Sequence, residues 1–186
     1  MRLVGKIGMV AAAALMLAGC GSSDDSKASE TSTAKTTAST SQAKPASAGR
    51  ECTAEDIKVD GGFGTAPKIT IPTDCDPPKQ LIVKDLVEGS GPGAASGQSL
   101  KMNYTLITWS DKKKLDSSFD RGETFDLKLG QGKVIQGWDQ GLIGVQQGAR
   151  RLLIVPPDLG YGASSRGGMK PNETLVFVTD AVKVGS

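Results

Sequence analysis

Apolar and polar positions alternate in short runs along the second half of this chain. Leu81 to Glu88, Ser99 to Trp109, Thr124 to Leu129, Ala149 to Val155 and Thr174 to Val184 are rich in residues that suit a pleated surface, and Gly, Pro and Asp break the runs. The connections are too short for parallel crossovers, so these five strands predict an antiparallel sheet. Only Val134 to Val145 has a helical period: Val134, Ile135, Trp138 and Leu142 recur at three and four spacing, while Gly137, Gly141 and Gly144 keep the helix short. One short helix covering one twisted sheet is an α+β domain with a single core.

The first half has a different texture. Arg2 and Lys6 precede an apolar run from Met9 to Ala18, and Leu17-Ala18-Gly19-Cys20 closes it. This resembles a bacterial lipoprotein signal peptide, residues 1–19, whose small residues precede a cysteine able to carry a thioether-linked lipid. The run is too short for the ~20 residues of a spanning helix. Residues 21–50 hold eight Ser, five Thr and six Ala with no Val, Ile, Leu, Met or aromatic side chain, so they cannot offset the ordering entropy of a packed structure. Residues 20–50 are thus expected to be a lipid anchor at Cys20 and a tether. Cys52 and Cys75, in a chain expected outside the cytoplasmic membrane, predict a disulfide stapling a segment of residues 51–80, with one or two short strands around Lys68-Ile69-Thr70-Ile71, at the edge of the main domain, residues 81–186.

Composition narrows the chemistry. The 186 residues carry a formal charge of +2, and removal of Arg2 and Lys6 with the leader leaves 20 basic against 20 acidic residues. Nothing in that balance calls for a nucleic-acid partner. The chain has no histidine, which removes Ser-His-Asp and Cys-His nucleophiles, the common zinc sites and any imidazole base. Gly130-Gln131-Gly132-Lys133 lacks the spacing of a phosphate loop. Lys112-Lys113-Lys114 reads as a solvated hairpin tip, and Asp116 with Ser117-Ser118 reads locally as a turn or cap.

Tyr104-Thr105, Leu115-Asp116-Ser117-Ser118 with Asp120-Arg121, Phe125, Val134-Ile135-Gln136-Gly137-Trp138, Pro157-Asp158 with Gly160-Tyr161-Gly162, and Thr174-Leu175-Val176-Phe177 stand in the order and spacing of the FKBP family, which the chain resembles over residues 81–184. The resemblance implies peptidyl-prolyl cis-trans isomerisation on a five- to six-stranded antiparallel half-barrel wrapped around the helix. It implies a pocket with Trp138 as floor and Tyr104, Phe125, Val134, Ile135, Tyr161 and Phe177 as walls. Ile135 N–H and the Tyr161 hydroxyl would meet carbonyls of the bound X-Pro segment, and Asp116 would lie beside the pocket, held by Tyr104 and Arg121. Macrolides such as rapamycin or tacrolimus are implied as ligands.

The chemistry agrees with the composition. Rotation about an X-Pro bond takes tens to hundreds of seconds unaided, yet no bond is made or broken, so no nucleophile, metal or cofactor is required. A dry cavity disfavours the polar planar amide, and placed donors favour the twisted one. The sequence departs from the family at Leu115, where an aromatic pocket residue is usual, and in the loop Ser164 to Lys170, where Arg166 stands near the usual histidine. The expected substrates are X-Pro segments of exported proteins, met by a lipid-anchored monomer. The rival reading is a proline-segment-binding module or holdase with little turnover.

Overall fold

The structure is a computed structural model that describes residues 49–185. Cys20, the leader and nearly all of the tether lie outside the described residues. The main sheet has six strands: β3 (Ile82–Val87), β4 (Ser99–Thr108), β5 (Lys114–Ser117), β6 (Phe125–Lys128), β7 (Arg150–Val155) and β8 (Leu175–Val184), ordered β3-β7-β8-β4-β5 with β6 also on β4, and every pairing is antiparallel. The ten-residue β4 pairs with β8 along one edge and serves two partners on the other. Its first half, Ser99 to Met102, pairs with β6, and Thr105 to Ile107 pair with β5. A single-turn helix α1 (Ser118–Arg121) joins β5 to β6, and the longer helix α2 (Gln136–Gly141) packs into the concave face.

All five expected strands and the expected helix are present, with ends within a few residues of the reading. Strand β5 and the single-turn helix α1 were not expected. Strand β5 carries Asp116 and Ser117, which in isolation resemble a turn; pairing with β4 overrides that local preference, and Thr105 and Ser117 share a hydroxyl hydrogen bond of 3.0 Å. The hairpin tip is solvated as expected, with Lys112, Lys113 and Lys114 all exposed; Lys112 Nζ lies 5.9 Å from the centre of the Trp109 ring and donates to the Trp109 carbonyl at 3.3 Å.

Strands β7 and β8 explain why two of the runs are nearly continuous in apolar residues. β7 is buried at every position, as expected for a strand covered on both faces. Alternate side chains serve two cores. Leu153, Val155, Leu175 and Phe177 face α2 with Leu100, Met102, Tyr104, Trp138 and Leu142. Leu152, Ile154, Val176 and Val178 face the other way, onto Cys52, Ala54, Ile57, Ile71 and Cys75. The N-terminal segment therefore covers the back of the sheet, where the sequence reading placed it at the edge, and the domain has two cores instead of one. Its own strands, β1 (Lys58–Asp60) and β2 (Lys68–Thr70), form a separate antiparallel pair, and Cys52 and Cys75 are joined in a disulfide.

A buried ion pair ties this cover down. Arg150 and Asp180, whose side chains are almost fully enclosed, form a two-point guanidinium-carboxylate contact at 2.6 and 2.8 Å across β7 and β8. The remaining capacity of both groups goes to the loop after β1: Arg150 donates to the carbonyls of Gly61 and Thr65 at 2.6 Å each, and Asp180 accepts from Gly64 N–H at 2.7 Å. Buried charges survive when their hydrogen bonds are this complete. On the opposite face, Arg151 binds both oxygens of Asp85 and donates at 3.0 Å to the carbonyls of Gly141 and Ile143, satisfying orphan acceptors at the end of α2.

Candidate active site

Helix α2 approaches β7 more closely than a side chain would allow. A Cβ at Gly137 would fall 2.8 Å from Val155 Cγ2 and closer still to Cγ1, and one at Gly141 would fall 2.8 Å from Leu153 Cδ2. These two glycines, one turn apart on the sheet-facing side, set the depth of the helix. The residue between them on the cavity side is Trp138, 4% exposed.

Three rings surround Trp138 edge-to-face: Tyr104 at 5.4 Å between centres, Phe177 at 5.5 Å and Phe125 at 5.8 Å, while Tyr104 and Phe125 meet at 5.9 Å. Such T-shaped pairs add ~0.5–1.5 kcal/mol each beyond buried area. The cluster is therefore a stiff wall. With Leu106, Asp116, Val134, Ile135 and Tyr161 it encloses a cavity of about 100 Å³. That is below the ~300–1,000 Å³ typical of pockets for drug-sized ligands, so it suits a small ring, with anything larger lying over the rim.

The polar groups lie around the mouth. Tyr104 donates its hydroxyl to Asp116 Oδ2, Arg121 pairs with Asp116 Oδ1, and Arg121 Nη2 also donates to the Tyr104 oxygen at 3.0 Å. The guanidinium lies 5.6 Å from the centre of the Tyr104 ring. Burial, then the bond to Asp116, pushes the Tyr104 phenol above its ordinary value. Burial would raise the Asp116 carboxyl, but hydrogen bonds from Tyr104 and Arg121 outweigh it and hold the group below the usual carboxylate range. At neutral pH the pair is a phenol and a carboxylate. Tyr161, 37% exposed, occupies the rim. Ile135 precedes α2 in extended conformation, and among the described residues no acceptor pairs with its N–H. Trp138 Nε1 is likewise buried without an acceptor there, a state that costs ~1–3 kcal/mol when nothing relieves it.

The loop before α2 is held from within the helix. Asp139 accepts from Gly130 N–H at 2.7 Å and from Gly132 N–H at 2.8 Å, which fixes the chain leading to Val134 and Ile135. So the glycine-rich turn that fails as a phosphate loop is a positioning element. All but one of the anticipated pocket residues line the cavity: Tyr104, Asp116, Phe125, Val134, Ile135, Trp138, Tyr161 and Phe177. Leu115 does not; it is half-buried and packs on the helix-side core. Leu106 was missed, although it continues the alternation of Leu100, Met102 and Tyr104 on one face of β4. Met169, in the altered loop, is buried in that same core.

The profile of the FKBP-type peptidyl-prolyl cis-trans isomerase family matches residues 91–181. The chain is 45% identical over 111 residues to the FK506-binding protein of Streptomyces anulatus, covering 59% of this chain and 90% of that one. It belongs to the FKBP family. The FK506-binding protein of Neisseria meningitidis serogroup B is 42% identical over 106 residues, 56% of this chain and 95% of its own. Among solved structures, AtFKBP13 superposes with a TM-score of 0.53 at 32% identity, over 56% of this chain and 93% of that one. FkpA from Escherichia coli gives 0.52 at 32% identity, over 56% and 48%. This FKBP domain is accordingly an α+β half-barrel with peptidyl-prolyl cis-trans isomerase activity, and the aromatic cavity lies within the matched span.

Proposed function

We propose that the enzyme accelerates X-Pro rotation in exported proteins by binding the prolyl ring in the cavity over Trp138, with no covalent step. The observation that carries this reading is the cluster of four aromatic rings lining one small cavity, with Asp116 and the Tyr161 hydroxyl around its mouth. The barrier to rotation is the loss of amide resonance, ~18–20 kcal/mol for an ordinary peptide bond. A planar amide is the more polar form, so transfer from water into this lining disfavours the ground state relative to the twisted one. Ile135 N–H and the Tyr161 hydroxyl are assigned to the substrate carbonyls, and donors that fit the twisted geometry better bind it selectively. Asp116, fixed by Tyr104 and Arg121, presents a negative oxygen beside the cavity. It stabilises the carbonyl carbon as it swings out of the amide plane. Tyr104, Phe125, Val134 and Phe177 hold the ring, and Leu115 supports that wall from behind.

The protein is anchored outside the cytoplasmic membrane of a bacterium through a lipid on Cys20, with residues 21–50 giving reach. Macrolides such as rapamycin or tacrolimus occupy the same cavity and extend over its rim. Incorporation of a fatty-acid analogue, abolished in Cys20→Ala, checks the anchor. Function is tested with an exported protein whose slow refolding phase is a single X-Pro isomerisation. The full chain shortens that phase in proportion to its concentration, and an unchanged slow phase contradicts the proposal.

A further inference from the structure

A groove of about 440 Å³ continues from the active site around the edge of the sheet. Phe125 and Val134 are walls of both, so a chain whose prolyl ring fills the cavity passes directly into the groove. Its apolar surface comes from Val134 and from Phe125, which is 36% exposed, while Leu100 and Leu127 are buried behind it in the helix-side core. The charged groups along it are four lysines, Lys101, Lys128, Lys133 and Lys183, against one carboxylate, Asp126. Lys101 Nζ holds Asp126 at 2.6 Å. Among the described residues no carboxylate pairs with Lys128, Lys133 or Lys183.

This bias is local. Away from the leader the chain carries equal numbers of basic and acidic residues, so the groove does not inherit its sign from a generally basic protein. Lysine stems lie along apolar surface while their ammonium groups stay at the water boundary, which leaves three cations bordering an apolar track. Lys133 immediately precedes Val134, so an ammonium group without a carboxylate partner stands one residue from the cavity wall, while Asp126, next to Phe125, is taken up by Lys101.

Resting on the assignment of the prolyl ring to the cavity, we propose that this groove is a substrate subsite that selects acidic residues flanking the X-Pro bond. An extended segment leaving the cavity over Phe125 and Val134 lays its carboxylates against Lys133, Lys128 and Lys183. The effect is a preference in kcat/KM, because the charges act on binding of the flank and do not touch the rotating bond.

The test measures kcat/KM of the full chain on Ala-Pro peptides carrying two Glu, two Gln or two Lys on either side of the Ala-Pro unit. On one side, the Glu peptide is expected to exceed the Lys peptide roughly tenfold at low salt, as two or three exposed charge pairs allow. The ratio falls toward one at about 1 M salt, where screening reaches within ~3 Å. The triple variant K128E/K133E/K183E inverts the ranking, and Lys133→Glu alone cuts the ratio roughly threefold. Equal values for Glu and Lys peptides, with the Gln peptide still accelerated, overturn the subsite while leaving the isomerase reading intact. Lysines that prove necessary for binding phosphatidylglycerol vesicles but leave the peptide ranking unchanged overturn it in favour of a membrane surface. Failure to accelerate any of the peptides overturns the isomerase reading and the subsite with it.

Discussion

Gly137→Ala separates the account of the cavity floor from simple helix preference. In an exposed helix, this change stabilises by about 1 kcal/mol, because alanine loses less backbone freedom than glycine. Here the new methyl meets Val155, with Cγ2 at 2.8 Å and Cγ1 nearer, whereas carbon atoms rest ~3.5–4.0 Å apart. Val155 cannot turn aside: it is fully buried, β-branched and hydrogen-bonded in β7 between β3 and β8. The start of α2 must back away by about 1 Å, taking Ile135 and Trp138 with it. Overpacking of a core costs ~1–3 kcal/mol; set against the propensity gain, the net loss is about 0–2 kcal/mol, a drop of a few degrees in Tm for a domain of this size. Catalysis suffers more, since a displacement of ~1 Å in a positioning element can cost up to about a hundredfold. The assay pairs thermal unfolding with kcat/KM on an Ala-Pro peptide. A fall of tenfold or more in kcat/KM, with the domain still folded, is expected. A variant with wild-type activity and a raised Tm refutes the claim that the glycine sets the depth of the floor.

Tyr161→Phe removes a rim donor and leaves the ring; kcat/KM on the same peptide should drop about two- to tenfold, as loss of one hydrogen bond of ~0.5–1.5 kcal/mol implies, and no change removes Tyr161 from the proposed donors. Asp180→Asn leaves Arg150 buried without its counter-charge and should cost about 3–5 kcal/mol in denaturant unfolding, with the cavity on the other face unaffected where the domain stays folded; a loss below 1 kcal/mol contradicts the clamp. For pH, Asp116 lies below the ordinary carboxylate range, so its ionised, bonded form contributes stability above the unfolded value near ~3.9 and loses it as pH falls through the lower folded value. Tyr104 is shifted up, so its neutral form contributes below ~10 and loses that only as pH rises through the higher folded value. Isomerisation should therefore be flat from about pH 5 to 9, and a bell-shaped profile centred near neutrality contradicts a mechanism without proton transfer.

Much of the helix-side half was legible because its signals are local. The spacing of Val134, Ile135, Trp138 and Leu142 marks one helix face, and strand alternation puts Tyr104 on the same face of β4 as Met102. The pocket residues came from their joint register with a family, since Phe125, Val134 and Phe177 taken singly read as ordinary core. What escaped depends on partners far along the chain. Nothing near Arg150 announces that its guanidinium will meet Asp180 and the carbonyls of Gly61 and Thr65. Without that contact, Cys52 to Cys75 reads as an edge staple instead of a second core layer. The role of Gly137 was half visible: its weak helix propensity was plain, but the close approach of Val155 exists only once the sheet has formed.

The most direct test is the cis-to-trans exchange rate of an Ala-Pro peptide with the full chain present, measured with and without rapamycin. Acceleration proportional to enzyme concentration and competitively removed by the macrolide is the predicted result. Exchange at the spontaneous rate, at every enzyme concentration, would contradict the assignment of catalysis to the cavity over Trp138.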